Sequence, residues 1–173
     1  MTLDLARRPA PDEAARFYHG YIGLVPDGDV LATLDRQLDE TAALVADTDG
    51  QHRYAPGKWT VNEVLLHVAD TERVFAYRAL RFARGDGTPL PGFHQDVFAR
   101  SVDLSDRSVG ELMADVRAAR AATLSLARSF DASAWDRVGT ASGHPMTTRA
   151  AIWTLAGHER HHRALLRERY LSL

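Results

Sequence analysis

Four stretches of the chain repeat apolar residues at the 3.6-residue spacing of an amphipathic helix, separated by segments rich in Gly, Pro and Asp. The first runs from Asp29 to about Ala46, with Leu31, Leu34, Leu38, Thr41, Leu44 and Val45 on one face. The second starts at Thr60, which with Glu63 forms an S/T-x-x-E capping box; it carries Val61, Val64, Leu65, Val68 and Phe75 and should reach about Arg84. Ser108 and Glu111 repeat the box ahead of a third helix, whose stripe of Leu112, Val116, Ala119, Thr123, Leu126 and Phe130 ends near Ser129. Thr147 or Thr148 caps a fourth that continues to about Tyr170.

Asp47 to Lys58 reads as a loop, Gly85 to Asp96 as a long connection with a short helix near Asp96 to Arg100, and GTASGHPM from Gly139 to Met146 as another loop. No alternating segment predicts a strand. Residues 1–28, punctuated by Pro9, Pro11, Pro26 and three glycines, read as an N-terminal arm with one short helix over Asp12 to Tyr18. Four helices of about 17 to 25 residues are each about 25 to 37 Å long, enough to bury one another's stripes side by side. The expectation is an all-α fold: a four-helix bundle over residues 29–173, with long connections and a short arm at 1–28.

Composition narrows the chemistry. Of 173 residues, 21 are Lys or Arg and 23 Asp or Glu; the formal net charge of −2 offers no excess of cations for phosphate backbones, so nucleic acid is not an expected partner. No apolar run approaches the roughly 20 residues that span a bilayer, and MTLDLARRPAPDE lacks the apolar core of a secretory signal. No membrane association and a cytoplasmic location are therefore expected. With no cysteine, the chain has neither a thiolate ligand nor a thiol nucleophile of its own, which turns attention to its eight histidines.

His158 and His162 lie in the fourth helix as GHERHH. At about 100° per residue they project within about 40° of each other, so this i, i+4 pair can hold one divalent ion between its rings. Both fall on the apolar side marked by Ile152, Leu155 and Leu166, whereas His161 points to solvent. A third ligand would come from His67, the only other histidine inside a long predicted helix; His19, His52, His94 and His144 sit in arm or loop segments and read as solvated. The competing reading is a set of core-edge histidines hydrogen-bonded to neighbouring helices.

Residues 158–162 also spell H-E-x-x-H, the signature of zinc peptidases. Its surroundings disagree. Where the extended motif has glycine and a third histidine, this chain has Leu165 and Glu168; Leu165 keeps the helix going, and Glu168 then points about 240° around the axis from His162. A distant glutamate ligand would need more chain than follows His162, and no strand is predicted that could bind an extended peptide.

The segment GKWTVNEVLLHVAD from Gly57 to Asp70, PGFHQD from Pro91 to Asp96, and GTASGHPMTTRAAIWTLAGHERHH from Gly139 to His162 resemble the DinB/YfiT-like metalloprotein superfamily. The resemblance spans about Asp29 to Tyr170 and rests on the order of its parts. It implies a four-helix bundle, commonly a homodimer, holding a divalent metal through three histidines that match His67, His158 and His162. It also implies a metal-dependent enzyme acting on a small molecule: a transferase using a low-molecular-weight thiol of the bacillithiol or mycothiol type, or a hydrolase. The alternative is a non-catalytic stress protein that binds metal or a small ligand. Zn, Ni, Fe and Mn all suit three imidazoles with an open position.

Glu63, one turn before His67, and Glu159, next to His158, are candidates to orient a ligand ring or move a proton; against this, Glu63 already has a capping role and Glu159 has arginines nearby. Asp70 is a weaker candidate. Trp59 and Trp153 line a pocket or fill the core, and Arg149, Arg160, Arg163, Arg167 and Arg169 give the last helix a basic, solvated face.

Overall fold

A computed structural model describes residues 4–171. Two 3₁₀ turns, Pro11–Glu13 and Arg16–Tyr18, precede α1 (His19–Gly23), α2 (Val30–Val45), α3 (Val61–Ala83), α4 (Gln95–Arg100) and α5 (Val109–Arg128). A third 3₁₀ turn, Ala134–Asp136, leads into a hairpin of β1 (Val138–Ala141) and β2 (His144–Thr147), then α6 (Thr148–Leu165). Leu166–Tyr170 continues α6 as a π-helical turn. The four long helices begin where their caps predict. Thr60 Oγ1 accepts from the Glu63 N–H at 3.1 Å while the Glu63 carboxylate accepts from the Thr60 N–H at 2.6 Å; Ser108 and Glu111 repeat this, and Asp29 and Thr147 cap α2 and α6.

α3 packs on α5 and α6, and α2 packs on the same two helices, which places α2 and α3 across the diagonal of the bundle. One apolar cluster joins the start of α2 (Leu34), the ends of α3 (Phe82) and α5 (Ala127), and the start of α6 (Ile152). A second joins the opposite ends through Val45, Leu65, Leu112 and Leu166. Hence α2 and α6 run one way, and α3 and α5 the other. Because α3 and α5 are parallel neighbours, residues 84–108 must return along the length of the bundle, and they carry α4 past its middle.

That middle is polar. Between the two apolar clusters every bundle helix buries hydrogen-bonding groups: Gln37 and Thr41 on α2, His67 and Glu72 on α3, Arg120 on α5, and His158, Glu159 and His162 on α6. Part of this layer is an ion triad. Arg120 donates to both Glu72 oxygens at 2.8 and 3.0 Å and to Glu159 at 2.9 Å, and Glu159 also accepts from Gln37 and Thr41, each at 2.6 Å.

Three expectations need correction. Gly139 to Met146 is not a loop but most of an antiparallel hairpin, registered from Val138↔Thr147 to Ala141↔His144. Ser142 (φ 56°) and Gly143 (φ 79°) supply the two positive φ angles of a tight hairpin turn. Strands of four residues show too little alternation to be read; burial of Ala141 and Met146 in the core stabilises them instead. The helix expected over Asp12 to Tyr18 is two 3₁₀ turns broken by extended Ala14 and Ala15, and α1 follows it. Tyr18 and Ile22 there enter the first apolar cluster, and α1 lies so close to α6 that a Cβ on Gly157 would collide with the Tyr21 carbonyl. Arg149 is not on a solvated face: it is buried, donating to Asp136 and to the Asp4 carbonyl. Among the described residues no helix is long and apolar enough to cross a membrane.

Candidate metal centre

α3 and α6 are antiparallel neighbours, and their contact brings His67 opposite the His158 and His162 pair. One ring nitrogen from each of the three lies within 4.8 Å of the others. His67 Nε2 and His158 Nε2 are 2.9 Å apart, and the ring centroids are separated by 4.5 to 4.8 Å. This convergence matches a donor set able to share one ion at metal–nitrogen distances of about 2.0–2.1 Å. Thr71 Oγ1, one turn along α3, lies 3.5 Å from His67 Nδ1, on the ring edge away from the other histidines' nitrogens. His162 Nδ1 is buried with no partner.

All three rings are buried, and burial pushes their basicity down. His67 is lowered to about 4 by desolvation, with His161 adding to the shift and the Asp96 carboxylate opposing it. Desolvation also holds His158 and His162 well below the ordinary imidazole range, and the neighbouring rings add to it. Near neutral pH the three are uncharged bases with lone pairs to offer.

Two cavities flank the cluster. The first, about 380 Å³, is bordered by His67 and His158 and by Tyr18, Tyr21, Phe75 and Arg78. The second, about 370 Å³, is bordered by His162, Trp59, Lys58, Asp96, Arg100 and Tyr170. Gln95, at the start of α4, lines both.

The remaining candidates lie elsewhere. Glu63 is occupied by its cap and borders a smaller cleft, about 190 Å³, with Asp103 and Leu104 rather than either flanking cavity. Glu159 faces Arg120, Gln37 and Thr41 in the ion triad. Asp70 pairs with Arg73 at 2.9 Å near the surface. Trp59 does reach the site, its ring 4.9 Å from that of His67, whereas Trp153 is fully buried in the core. His161 is exposed, as are His52, His94 and His144. Sequence reasoning missed Asp96, Gln95, Tyr21 and Arg78. The first two lie on the crossover, whose path is set by the parallel arrangement of α3 and α5. Arg78 carried a readable signal, since it shares a helix face with His67 at i+11.

Fold and site together define a helical bundle with a three-histidine cluster buried between two of its helices. The chain belongs to the DinB superfamily, whose family model matches residues 31–166. Among solved structures it is similar to YfiT from Bacillus subtilis, described as a probable metal-dependent hydrolase with an unusual four-helix bundle topology. The two share 17% sequence identity with a TM-score of 0.67, over 94% of this chain and 90% of that one. No curated protein matches the chain.

Proposed function

We propose that the chain is a divalent-metal-dependent enzyme acting on a small molecule, with the ion held by His67, His158 and His162. The observation that carries this reading is the convergence of three buried, neutral imidazoles within 4.8 Å between two cavities. Buried ring nitrogens are costly without partners, and an ion accepts a lone pair from each. No fourth His, Cys, Asp or Glu joins the group among the described residues. A divalent ion held by His67, His158 and His162 would supply Lewis-acid chemistry, making a water or thiol bound to it more acidic.

The chain's own residues supply the rest. Thr71 steadies the His67 ring, and Trp59 and Tyr21 cover His67 and His158 and limit water. Asp96, exposed and bordering the second cavity with His162, is the carboxylate placed to accept a hydrogen bond from a molecule bound there. Hydrolysis of a small molecule is the first reading, in keeping with the description of YfiT. Transfer of a low-molecular-weight thiol to a small electrophile is the second, favoured by the presence of a cavity on each side of the cluster, which gives room for two reactants. Assembly as a homodimer is a proposal of the same kind, read out by light scattering.

Elemental analysis of untagged protein tests the site. About one equivalent of metal is expected per chain, lost in His67→Ala, His158→Ala and His162→Ala and kept in His161→Ala. Retention in any of the first three removes that residue from the ligand set. Bound metal without turnover on ester, amide and thiol–electrophile panels would favour the non-catalytic binding protein.

A further inference from the structure

Arg78 is 2% exposed, and it brings a guanidinium cation into the interior. Among the described residues no carboxylate meets it. Nη1 donates to the Tyr18 hydroxyl at 3.3 Å, and Nη2 to the Pro91 carbonyl at 3.1 Å and to Ser142 Oγ at 3.0 Å. The Phe75 ring lies 4.8 Å from Cζ. Every one of these partners is neutral. The other deeply buried arginines differ: Arg120 has Glu72 and Glu159, and Arg149 has Asp136. A buried cation facing only dipoles is an expensive arrangement unless an anion arrives to complete it.

The place where an anion could arrive is the first cavity. His67, Thr71, Phe75 and Arg78 form one stripe of α3, within about 80° of one another around the axis, and all four line it. Across from them on α6 are His158 and, one turn nearer the Arg78 end, Thr154, whose buried hydroxyl has no partner. Aromatic side chains form much of the wall between. One end of the cavity thus holds an uncompensated cation and an idle hydroxyl, and the other holds the imidazoles.

We propose that Arg78 binds the carboxylate of an elongated small-molecule acid with an aromatic or apolar body, setting the far end of that acid against the three histidines. This deepens the function proposed above and rests on it only for what happens at the histidines. A carboxylate fits better than a phosphate because Arg78 is the one cationic side chain lining the cavity, and a dianion would keep an unmatched charge.

Calorimetric titration of chelator-treated protein with 3-phenylpropionate and its neutral amide tests this without turnover. The acid is expected to bind about tenfold tighter than the amide. Arg78→Gln brings the two to near parity. Ser142→Asp gives Arg78 a resident carboxylate at a turn position whose left-handed φ aspartate tolerates; it should raise the melting temperature and also abolish the preference for the acid. If Arg78→Gln does not fold, Ser142→Asp decides. No binding of the acid, parity in the unsubstituted chain, or a preference that survives Ser142→Asp or a folded Arg78→Gln overturns the proposal. His162→Ala separates it from the metal reading: its preference for the acid should persist although its metal is lost.

Discussion

Arg120 and Arg78 are both sealed inside the bundle, and what separates them is whether carboxylates surround the guanidinium. Arg120 binds Glu72 bidentately and Glu159 singly, and its carbonyl partner is Leu34, so all four bundle helices meet through it or through Glu159. Removing it leaves two carboxylates facing each other out of water. Arg120→Leu is expected to destabilise the fold by about 3–5 kcal/mol, measured by urea denaturation. The same geometry decides the role of Glu159. Its neighbour His158 points into the cluster while its own carboxylate points into the triad, so Glu159→Gln should lower the melting temperature and leave metal content unchanged. Loss of stoichiometric metal in a folded Glu159→Gln would instead give that carboxylate a part in the site.

At the scale of elements, the N-terminal segment is fastened to α6 at several points, two of which bear on the site and on acid stability. Gly157 lets α1 approach within backbone contact, one residue before His158, and Tyr21 on α1 then stacks edge-on to that histidine at 5.4 Å between centroids. Gly157→Ala should displace α1 and cost about 1–3 kcal/mol, with faster amide exchange confined first to α1. The second fastening is Glu13, whose carboxylate accepts from Arg7 at 2.6 Å, from the Ala10 N–H at 3.0 Å and from Thr147, the cap of α6, at 2.9 Å. Burial would raise its pKa, but these hydrogen bonds and the Arg7 charge outweigh it and leave the carboxyl below its ordinary value. A group more acidic in the folded state stabilises the fold above its unfolded pKa, and this is lost as pH falls through the lowered value. Denaturation at pH 6 and at pH 3 should therefore show a smaller acid-induced loss in Glu13→Gln than in the unsubstituted chain.

For the molecule as a whole, the histidines converge only when α3 and α6 are docked, so an ion that binds them binds the folded state alone. Metal at about 100 times its dissociation constant should then add about 2.7 kcal/mol to stability, and a chelator should lower the melting temperature accordingly. A melting temperature indifferent to both would show that the ion is not linked to the α3–α6 contact. The polar layer also explains the division of the core: apolar clusters on both sides hold the bundle together, while the middle level is left for groups that bind one another or a ligand.

Periodicity and caps determined the helices, because the spacing of Leu31 to Val45 or the pairing of Thr60 with Glu63 acts within a few turns of one chain segment. The i, i+4 relation of His158 and His162 was equally local, and His67 was the only other histidine inside a long predicted helix, a choice the resemblance matched. What only tertiary structure decided were relations between segments distant in sequence. The parallel course of α3 and α5 sends the crossover, with Gln95 and Asp96, past the histidines. The hairpin, too short to announce itself, carries Ser142 to Arg78. Whether a buried charge is matched, as in Arg120, or left open, as in Arg78, depends on which side chains the packing delivers to it, and no periodicity along the chain encodes that.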